Sequence, residues 1–346
     1  MPKITIIGTT SWGITLGTLL ANKGLGVSLW ARTKREAANL RDDGPNPALL
    51  NDVKFPPPLS VTSSLTDALS KSKAIILAVP SQSMRHNMKL VSEYLNSSMM
   101  IVSAAKGLEI DSSLRMSQVI AEEIEPCFHS NICVLSGPNL APEILSGLPA
   151  ATVVAASDKT IARKAQKLLT TPNLCVYTHT DVIGVELGGT LKNIIALGAG
   201  IADGLGYGDN AKSALITRGL TEMTALGLAL GANPLTFSGL AGLGDLIATC
   251  SSPLSRNHYV GAELAKERSL VEITESMTGV AEGVDTTLVV RNLAQQMGLE
   301  MPITDAIYRV LYEGADIRRS AAELMLAAAA HELAGRKWRL FSFLKR

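Results

Sequence analysis

The chain has 346 residues, 47% of them hydrophobic and 18% charged, a composition that excludes intrinsic disorder as its dominant state. Its 32 Lys and Arg and 31 Asp and Glu residues leave a net charge of +1, so no overall field attracts nucleic acid or an anionic membrane. The four cysteines lack CxxC spacing, which argues against a disulfide scaffold or a structural zinc site. The length predicts about two domains, and we expect no metal ion and no nucleic-acid partner.

The sequence shows no targeting pattern. Its first residues, Met-Pro-Lys, lead directly into a short apolar run at Ile4, without the long hydrophobic region of a secretory signal. Apolar stretches such as 194–201 and 324–330 are shorter than the roughly 18 residues of a membrane span. These features predict a cytoplasmic protein without stable membrane insertion.

The first half of the chain alternates short β-type runs with helical patterns. Residues 14–23 predict a helix, and strands are predicted at 4–7, 27–30, 74–79, 99–102, 132–135 and 152–156. The later runs are continuously apolar, which is typical of strands buried on both faces. This order predicts an N-terminal α/β domain with a Rossmann-like, doubly wound parallel sheet.

After about residue 180 the pattern becomes helical, which predicts an all-α C-terminal domain. Residues 185–232 hold almost no β-type run, and further helices are predicted at 262–266, 284–297, 304–312 and 320–333. We place the two domains at 1–182 and 183–334. A basic and aromatic tail follows at 335–346, for which contact with an anionic bilayer is a secondary hypothesis beside a solvated terminus.

Residues 8–13, Gly-Thr-Thr-Ser-Trp-Gly, lie where a dinucleotide fingerprint belongs, between the first strand and the first helix. Gly8 suits the tight turn, Gly13 suits close helix–strand packing, and the helix N-terminus suits a pyrophosphate. Thr10 replaces the middle glycine, and a positive φ at that residue would cost about 1–3 kcal/mol. The segment alone fits either a cofactor site or an ordinary strand–turn–helix.

The residues after the second strand bear on the choice of cofactor. The stretch 29–35 is cationic and contains no acid that would hold a ribose 2′-hydroxyl. Arg32 suits a 2′-phosphate instead, which favours NADP(H). Lys34 and Arg35 are better explained as solvated surface cations.

Other candidate residues follow later strands or lie in the helical half. Lys106 follows a strand and is placed to meet an anionic or carbonyl substrate, although a surface lysine there is common. Lys192 lies in a small-residue, apolar helix, where it either extends to solvent or is desolvated, with a pKa lowered toward the range of proton transfer. Asn193 and nearby Glu186 add a polar cluster to this helix.

A second group of polar residues follows in the helical half. Asp245 is an isolated carboxylate that serves either as a helix N-cap or as the partner of a buried cation. The tripeptide Ser255-Arg256-Asn257 combines a guanidinium with two short polar side chains, a set that suits a phosphate.

Together these segments closely resemble the bacterial-type NAD(P)-dependent glycerol-3-phosphate dehydrogenase family. The resemblance covers about residues 3 to 315, in the family's order and spacing. The motifs that carry it are SWG at 11–13, AKGLE at 105–109, LSGPNLAPE at 135–143, VELGGTLKNIIALGAGIADGLGYGDNAKSALITRG at 185–219, GLAGLGDLIATCSSPLSRN at 239–257 and VAEGVDTT at 280–287.

The resemblance implies that Lys192 exchanges the proton, that Lys106 is shared by substrate and cofactor, and that Asp245 orients the site. The expected substrate-binding residues are Lys106, Gly137, Asn139, Lys192, Asn193, Asp245, Ser255, Arg256 and Asn257. The expected cofactor-binding residues are Gly8, Thr10, Ser11, Trp12, Gly13, Arg32, Lys106, Ala141, Arg256, Val280 and Glu282. Two segments depart from the family pattern: Thr9-Thr10 replaces its usual Ala-Gly, and Asn139 replaces its usual Ser but still offers a donor and an acceptor.

The implied reaction is reversible hydride transfer between NADP(H) or NAD(H) and dihydroxyacetone phosphate, which gives sn-glycerol 3-phosphate for glycerophospholipid synthesis. The resemblance also implies a homodimer. Two alternatives remain open at this point. One is a ketopantoate or β-hydroxyacid-type dehydrogenase that takes a carboxylate substrate, and the other is a non-catalytic NADP(H)-binding sensor.

Overall fold

The computed structural model describes residues 3–45, 50 and 54–326. The predicted tail at 335–346, and the end of the helix predicted at 320–333, lie outside the described residues. The strands belong to a single sheet and are β1 (Lys3–Ile7), β2 (Gly26–Trp30), β3 (Leu59–Thr62), β4 (Ser72–Leu77), β5 (Met100–Ser103), β6 (Ile132–Ser136), β7 (Ala150–Ala155) and β8 (Leu174–His179).

The sheet has the strand order β3-β2-β1-β4-β5-β6-β7-β8, with helices packed on both faces. Strands β1 to β6 are parallel, as expected, but β7 pairs with β6 in antiparallel fashion and β8 runs parallel to β7. The predicted Rossmann-like, doubly wound parallel sheet is confirmed, with a departure from parallel order at the β6–β7 pair. The chain between β6 and β7 holds only one short helix, Ala141–Leu145, and returns directly instead of crossing over the sheet.

The two strands that the sequence analysis missed, β3 and β8, are the two edges of the sheet. Both are partly solvent-exposed, and their burial alternates along much of their length. A search for continuous apolar runs finds strands that are covered on both faces and passes over edge strands of this kind.

The helices alternate with the strands in the first half and dominate the second. In chain order they are α1 (Ser11–Asn22), α2 (Lys34–Asp42), α3 (Leu65–Leu69), α4 (Met84–Ser92), α5 (Met116–Glu122), α6 (Ala141–Leu145), α7 (Lys159–Leu169), α8 (Val182–Gly204), α9 (Gly208–Ala229), α10 (Asp245–Ser251), α11 (Arg256–Leu264), α12 (Leu270–Ser276), α13 (Gly283–Gln296), α14 (Pro302–Tyr312) and α15 (Ile317–Leu326).

Helix α8 is the centre of the helical half, and α9, α10, α11, α13 and α14 pack around it. Its length and hydropathy alone would allow it to span a membrane, but 83% of its most apolar window is buried inside the molecule. The small residues of α8 allow these neighbours to approach closely. In particular, a Cβ on Gly200 would overlap the backbone of α11.

A buried ion pair joins the start of α8 to the sheet side of the molecule. Glu186 accepts hydrogen bonds from the Arg115 guanidinium, from the Ser117 hydroxyl at 2.6 Å and from the Ser117 N–H at 2.7 Å. The expected polar cluster of Glu186 with Asn193 is therefore wrong, because Glu186 pairs with Arg115 and Ser117 at the start of α5. This contact fixes α8 against the sheet and is one of several that link the two halves.

Candidate active site

The turn between β1 and α1 is shaped by Gly8 and capped by Thr10. Gly8 has a φ of +108°, and a Cβ on it would lie 2.6 Å from the Ala78 carbonyl oxygen, so glycine is required there. Thr10 has a φ of −65°, so the backbone strain expected at this residue is wrong. Its hydroxyl accepts a hydrogen bond from the Gly13 N–H at 3.1 Å and donates one to Ala78 at 2.7 Å. Thr10 is the N-cap of α1, whose first turn, beginning at Ser11, can receive a phosphate.

An acidic side chain lies beside the exposed Arg32 at the end of β2. Glu36, in the first turn of α2, accepts a hydrogen bond from the Arg32 N–H at 3.0 Å and another from the Thr9 hydroxyl. Glu36 lies one residue beyond the cationic stretch 29–35 from which the cofactor preference was predicted. A single helical turn brings this carboxylate back to the strand end, so the neighbourhood is not purely cationic.

Two lysines share one buried carboxylate at the junction of the two halves. Lys106 Nζ lies 2.6 Å from Asp245 Oδ2 and 2.9 Å from the Gly137 carbonyl oxygen. Lys192 Nζ lies 2.5 Å from Asp245 Oδ1 and 2.5 Å from the Thr249 hydroxyl. Asp245 is only 1% exposed, so of its two possible roles it takes that of partner to buried cations.

A pair of glycines allows α8 to bring Lys192 to this carboxylate. A Cβ on Gly188 would overlap the Ala241 carbonyl group, and a Cβ on Gly189 would overlap the Ser136 hydroxyl. Only residues without a side chain therefore let α8 lie against both the end of β6 and the turn before α10. Lys192 projects from the next turn of α8 and is 6% exposed, so it is desolvated and does not extend to solvent.

Asp245 is presented by an unusual stretch of backbone. Residues Leu240–Gly244 form a π-helical turn, and Asp245 follows it as the first residue of α10. One turn later on α10 lies Thr249, whose hydroxyl donates to the Asp245 carbonyl at 2.6 Å. Single π turns often occur at functional sites, where they re-aim a side chain. Here the turn places the Asp245 carboxylate within hydrogen-bond distance of the ammonium groups of Lys106 and Lys192.

The environment of Lys192 lowers its pKa from 10.5 to about 8. The main cause is burial, which disfavours the charged ammonium, and the positive charge of Lys106 acts in the same direction. The carboxylate of Asp245 opposes both and raises the pKa. The ammonium therefore predominates at pH 7 but can release its proton near neutrality, as an acid–base group must.

The Ser255-Arg256-Asn257 tripeptide begins α11 next to Asn193. Asn257 Nδ2 donates to Asn193 Oδ1 at 2.9 Å, and Asn257 Oδ1 accepts from the Gly283 N–H at 2.9 Å. The Ser255 hydroxyl caps the first turn of α11. Ser255 and Asn257 are buried and partly occupied in holding this loop, whereas Arg256 is exposed in the cavity wall with its guanidinium beside Gly279. Arg256 is thus the member of the set best placed to meet an anion.

Two loops complete the wall of the site. In the loop after β6, Asn139 Nδ2 donates to the Thr152 hydroxyl at 3.1 Å, and Ala141 begins α6. In the loop before α13, Glu282 accepts hydrogen bonds from the Ser81 hydroxyl and, at 2.9 Å, from the Ser81 N–H. Burial raises the pKa of Glu282, although these hydrogen bonds and the charge of Arg256 oppose the increase.

These groups surround a cavity of about 850 Å³ that extends from the N-terminus of α1 to the two lysines. This volume is in the range of small-molecule and cofactor sites. Gly8, Gly13, Arg32, Gly137 and Asp245 are not among its lining residues. The candidate residues that do line it are Thr10, Ser11, Trp12, Lys106, Asn139, Ala141, Lys192, Asn193, Ser255, Arg256, Asn257, Val280 and Glu282.

The lining fits a dinucleotide. Trp12 Nε1 and Asn139 Oδ1 are buried polar atoms of the cavity wall without a hydrogen-bond partner in the part of the chain that the structure describes. A ligand with acceptor and donor groups would satisfy both atoms. One end of the cavity is the first turn of α1, whose N-terminus suits a pyrophosphate, and the other end holds Lys192, whose lowered pKa suits proton transfer.

The sequence analysis missed two side chains that act in this arrangement. The Thr249 hydroxyl accepts a hydrogen bond from Lys192. Its position four residues after Asp245 on a helix could have indicated that the two side chains share one face. Ser81 joins β4 to Glu282, and only the fold could reveal it, because the two residues are far apart in the sequence.

Two family models together match most of the chain. The model described as "NAD-dependent glycerol-3-phosphate dehydrogenase N-terminus" matches residues 3–162, and the corresponding C-terminus model matches residues 181–322. A protein of Dehalococcoides mccartyi named "Glycerol-3-phosphate dehydrogenase [NAD(P)+]" is 64% identical over 100% of this chain and 97% of its own. A protein of Geobacter metallireducens with the same name is 46% identical over 93% of this chain and 96% of its own.

Solved structures show the same relationship. A crystal structure of glycerol-3-phosphate dehydrogenase from Coxiella burnetii is 35% identical, with a TM-score of 0.88 over 94% of this chain and 98% of its own. A ketopantoate reductase structure from Ralstonia eutropha is 13% identical, with a TM-score of 0.56 over 93% of this chain and 99% of its own. The second similarity is one of fold alone.

Proposed function

This chain belongs to the NAD-dependent glycerol-3-phosphate dehydrogenase family, and from that premise we propose that it reduces dihydroxyacetone phosphate to sn-glycerol 3-phosphate with NADPH or NADH. The reaction is reversible and supplies glycerophospholipid synthesis. One observation carries the proposal at the level of chemistry: the buried ammonium of Lys192, held by Asp245 and Thr249, faces the cavity with a pKa of about 8.

The protein binds and orients the substrate through charge. The cavity wall carries the cations Lys54, Lys106, Lys192 and Arg256 and one acid, Glu282, and the buried carboxylate of Asp245 contacts Lys106 and Lys192, so positive charge is in excess. Such a site favours a phosphorylated ketone. Arg256 offers a bidentate fork to the phosphate, with Asn257 beside it. Binding the phosphate at this remote end orients the carbonyl group toward the lysines.

Lys192 donates and accepts the proton of the reaction. The nicotinamide ring, when bound, supplies the hydride to C2 of the substrate. The ammonium of Lys192 gives a proton to the oxygen on C2 as negative charge develops there, and in the reverse direction the neutral amine takes that proton from the hydroxyl. Lys106 donates a hydrogen bond to the same oxygen or to the neighbouring hydroxyl, while Asp245 keeps both nitrogens aimed into the cavity.

The nucleotide is held from the sheet side. Ser11 and Trp12, in the first turn of α1, would hold its pyrophosphate, and Val280 and Glu282 would contact its nicotinamide half. Residues 1–182 would form the nucleotide-binding domain and residues 183–334 the substrate domain. A homodimer, implied by the family resemblance, and a cytoplasmic location, predicted from the sequence pattern, belong to the same proposal.

The first experiment is an absorbance assay at 340 nm with NADPH and, separately, NADH. Dihydroxyacetone phosphate should support oxidation of the nucleotide, whereas ketopantoate and a blank without substrate should not. A requirement for the phosphorylated ketone supports the proposal, and turnover of ketopantoate instead would refute it. Binding of nucleotide with no turnover of either ketone would favour the sensor.

The Lys192→Ala variant tests the role of the lysine. We expect kcat to fall by about 10²–10⁴-fold, the usual contribution of a positioned acid–base group, with nucleotide affinity little changed. Ser112→Ala, which alters a hydroxyl outside the cavity, is the control. Near-normal turnover of Lys192→Ala would rule out the proposed proton transfer.

A further inference from the structure

The antiparallel strand β7 brings a buried threonine against the loop that follows β6. Thr152 is fully buried in β7, and the β6–β7 pairing sets Ser136 opposite Val153, the residue next to it. Gly137 has a φ of +145°, and a Cβ on it would lie 3.0 Å from the Thr152 hydroxyl oxygen. The loop from Ser136 to Asn139 therefore passes directly over this hydroxyl.

The Thr152 hydroxyl fixes the orientation of the Asn139 side-chain amide. A hydroxyl has one proton, and that of Thr152 is donated to the Ser136 carbonyl oxygen at 3.0 Å. Toward Asn139 the hydroxyl can then only accept, and it accepts from Asn139 Nδ2 at 3.1 Å. Turning the amide round would set two acceptor oxygens against each other, so the nitrogen of Asn139 stays on the β7 side.

This orientation leaves the amide oxygen as an unused acceptor in the cavity wall. Asn139 lines the cavity, and its Oδ1 is buried with no donor among the residues that the structure describes. Lys106 lies against the same loop, where its Nζ donates to the Gly137 carbonyl oxygen at 2.9 Å. A ligand group that contacts both side chains must accept from the ammonium and donate to the amide oxygen. A hydroxyl group does both.

Dihydroxyacetone phosphate carries one free hydroxyl, on the carbon next to its ketone. In the proposed function the phosphate goes to Arg256 and the ketone oxygen to Lys192, which leaves this hydroxyl for the loop after β6. We propose that Thr152 determines substrate specificity: by holding the amide oxygen of Asn139 in the cavity wall, it makes the site require a free hydroxyl beside the ketone. The inference rests on the proposed function, and it assigns the atom of Asn139 that is used and the residue that orients it.

The test compares dihydroxyacetone phosphate with hydroxyacetone phosphate, the same phosphorylated ketone without the free hydroxyl. For the wild type we expect a preference in kcat/KM of about a hundredfold or more, because an analogue that lacks the hydroxyl leaves the buried acceptor unpaired. In Thr152→Val the amide is no longer held in one orientation, so this preference should fall about tenfold. Thr152→Ser keeps the hydroxyl and should retain the preference within about twofold. Asn139→Leu removes the acceptor, and its preference should fall at least as far as that of Thr152→Val.

The matched control is Thr5→Val. Thr5 is also a fully buried strand threonine whose hydroxyl donates to a backbone carbonyl, that of Ala68 at 2.6 Å, but it does not line the cavity. Its preference should equal that of the wild type even if the variant is less stable. Thr152→Ala makes the same loss with a smaller side chain and replaces Thr152→Val if the latter fails to fold.

Fluorescence titration of NADH and NADPH without substrate separates the substrate from the nucleotide as the partner of the amide oxygen. The Kd values should stay within about twofold of the wild type in every variant. If Asn139→Leu weakens the nucleotides and leaves the preference unchanged, the oxygen serves the nucleotide and the inference is wrong. A fall in Asn139→Leu but not in Thr152→Val would equally overturn the role of Thr152. A wild type that reduces neither ketone would overturn the proposed function, whereas one that reduces both equally well would overturn this inference alone.

Discussion

Replacing Asp245 with asparagine is the sharpest test of how the site controls its proton. Asp245 is 1% exposed and accepts hydrogen bonds from Lys106 at 2.6 Å and from Lys192 at 2.5 Å. Asparagine keeps the shape and one acceptor oxygen but removes the negative charge. Both ammonium groups then lose their common counter-ion inside the protein.

The expected effect on the pKa of Lys192 follows from its causes. Burial and the charge of Lys106 already lower this pKa to about 8, and Asp245 works against them. Breaking one partner of a buried ion pair costs about 3–5 kcal/mol. If only about 1.4 kcal/mol of that cost falls on the charged form of Lys192, its pKa drops by one unit, to about 7.

The lower pKa of Lys192 determines the direction in which the pH–rate profiles of both reactions should move. Reduction of the ketone needs the ammonium form, so the alkaline limb of its kcat profile should move from near pH 8 to about pH 7 or below. Oxidation of the alcohol needs the neutral amine, so its acid limb should move down by the same amount. Initial rates at 340 nm in both directions, from about pH 6 to about pH 9.5, measure both limbs.

A structural role for Asp245 would give a different result. If the variant loses rate equally at every pH and its alkaline limb stays near pH 8, the carboxylate positions the lysines but does not hold the ammonium form. Asp158→Asn is the control, because Asp158 is an exposed N-cap of α7, away from the lysines, and asparagine caps helices equally well. Its pH profile should match that of the wild type.

Two further predictions concern stability. Glu222, buried on α9, accepts from the Ile303 N–H at 2.6 Å and the Thr304 N–H at 3.2 Å, and burial raises its pKa from 4.5 to about 7. The folded state thus binds more protons than the unfolded state between these values, so stability present below pH 4.5 falls by up to about 3 kcal/mol as the pH rises through 7. Glu222→Gln should flatten this part of the pH dependence of Tm, and an unchanged slope would contradict the assignment. Thr10→Ala removes the N-cap of α1 and should lower the free energy of unfolding in urea by about 1 kcal/mol, so an unaltered midpoint would show that the cap contributes nothing.

The fold was predictable where burial leaves a clear pattern in the sequence. The central strands are covered on both faces, so β1, β2, β4, β5, β6 and β7 appear as apolar runs close to their true bounds. The edge strands β3 and β8 carry no such run. Strand β7 runs antiparallel to β6 because the chain returns directly to the sheet through the short α6 connection. The local periodicity of the sequence does not encode this path.

The candidate site was predictable only in part, and for a similar reason. Lys192 and Asp245 stand out because a charge among glycines and aliphatic residues demands a partner. That each is the other's partner, with Lys106 as a third member, depends on contacts between distant segments. Thr10 was expected to be strained because a glycine is usual there, yet its φ is ordinary and its hydroxyl caps α1. Glu36 was not predicted as a neighbour of Arg32, because only the first turn of α2 brings its carboxylate back to the end of β2.

The contacts between the two halves have a consequence for how the chain unfolds. Lys106 with Asp245, Arg115 with Glu186 and Ser81 with Glu282 each take one partner from the sheet half and one from the helical half. Melting either half alone would leave half-buried or buried polar groups of the other without partners, at a cost of several kcal/mol. We therefore expect one calorimetric transition, and two well-separated peaks would count against this coupling. A ligand bound in the cleft between the halves then raises the melting temperature of the entire molecule, since neither half can loosen around it separately.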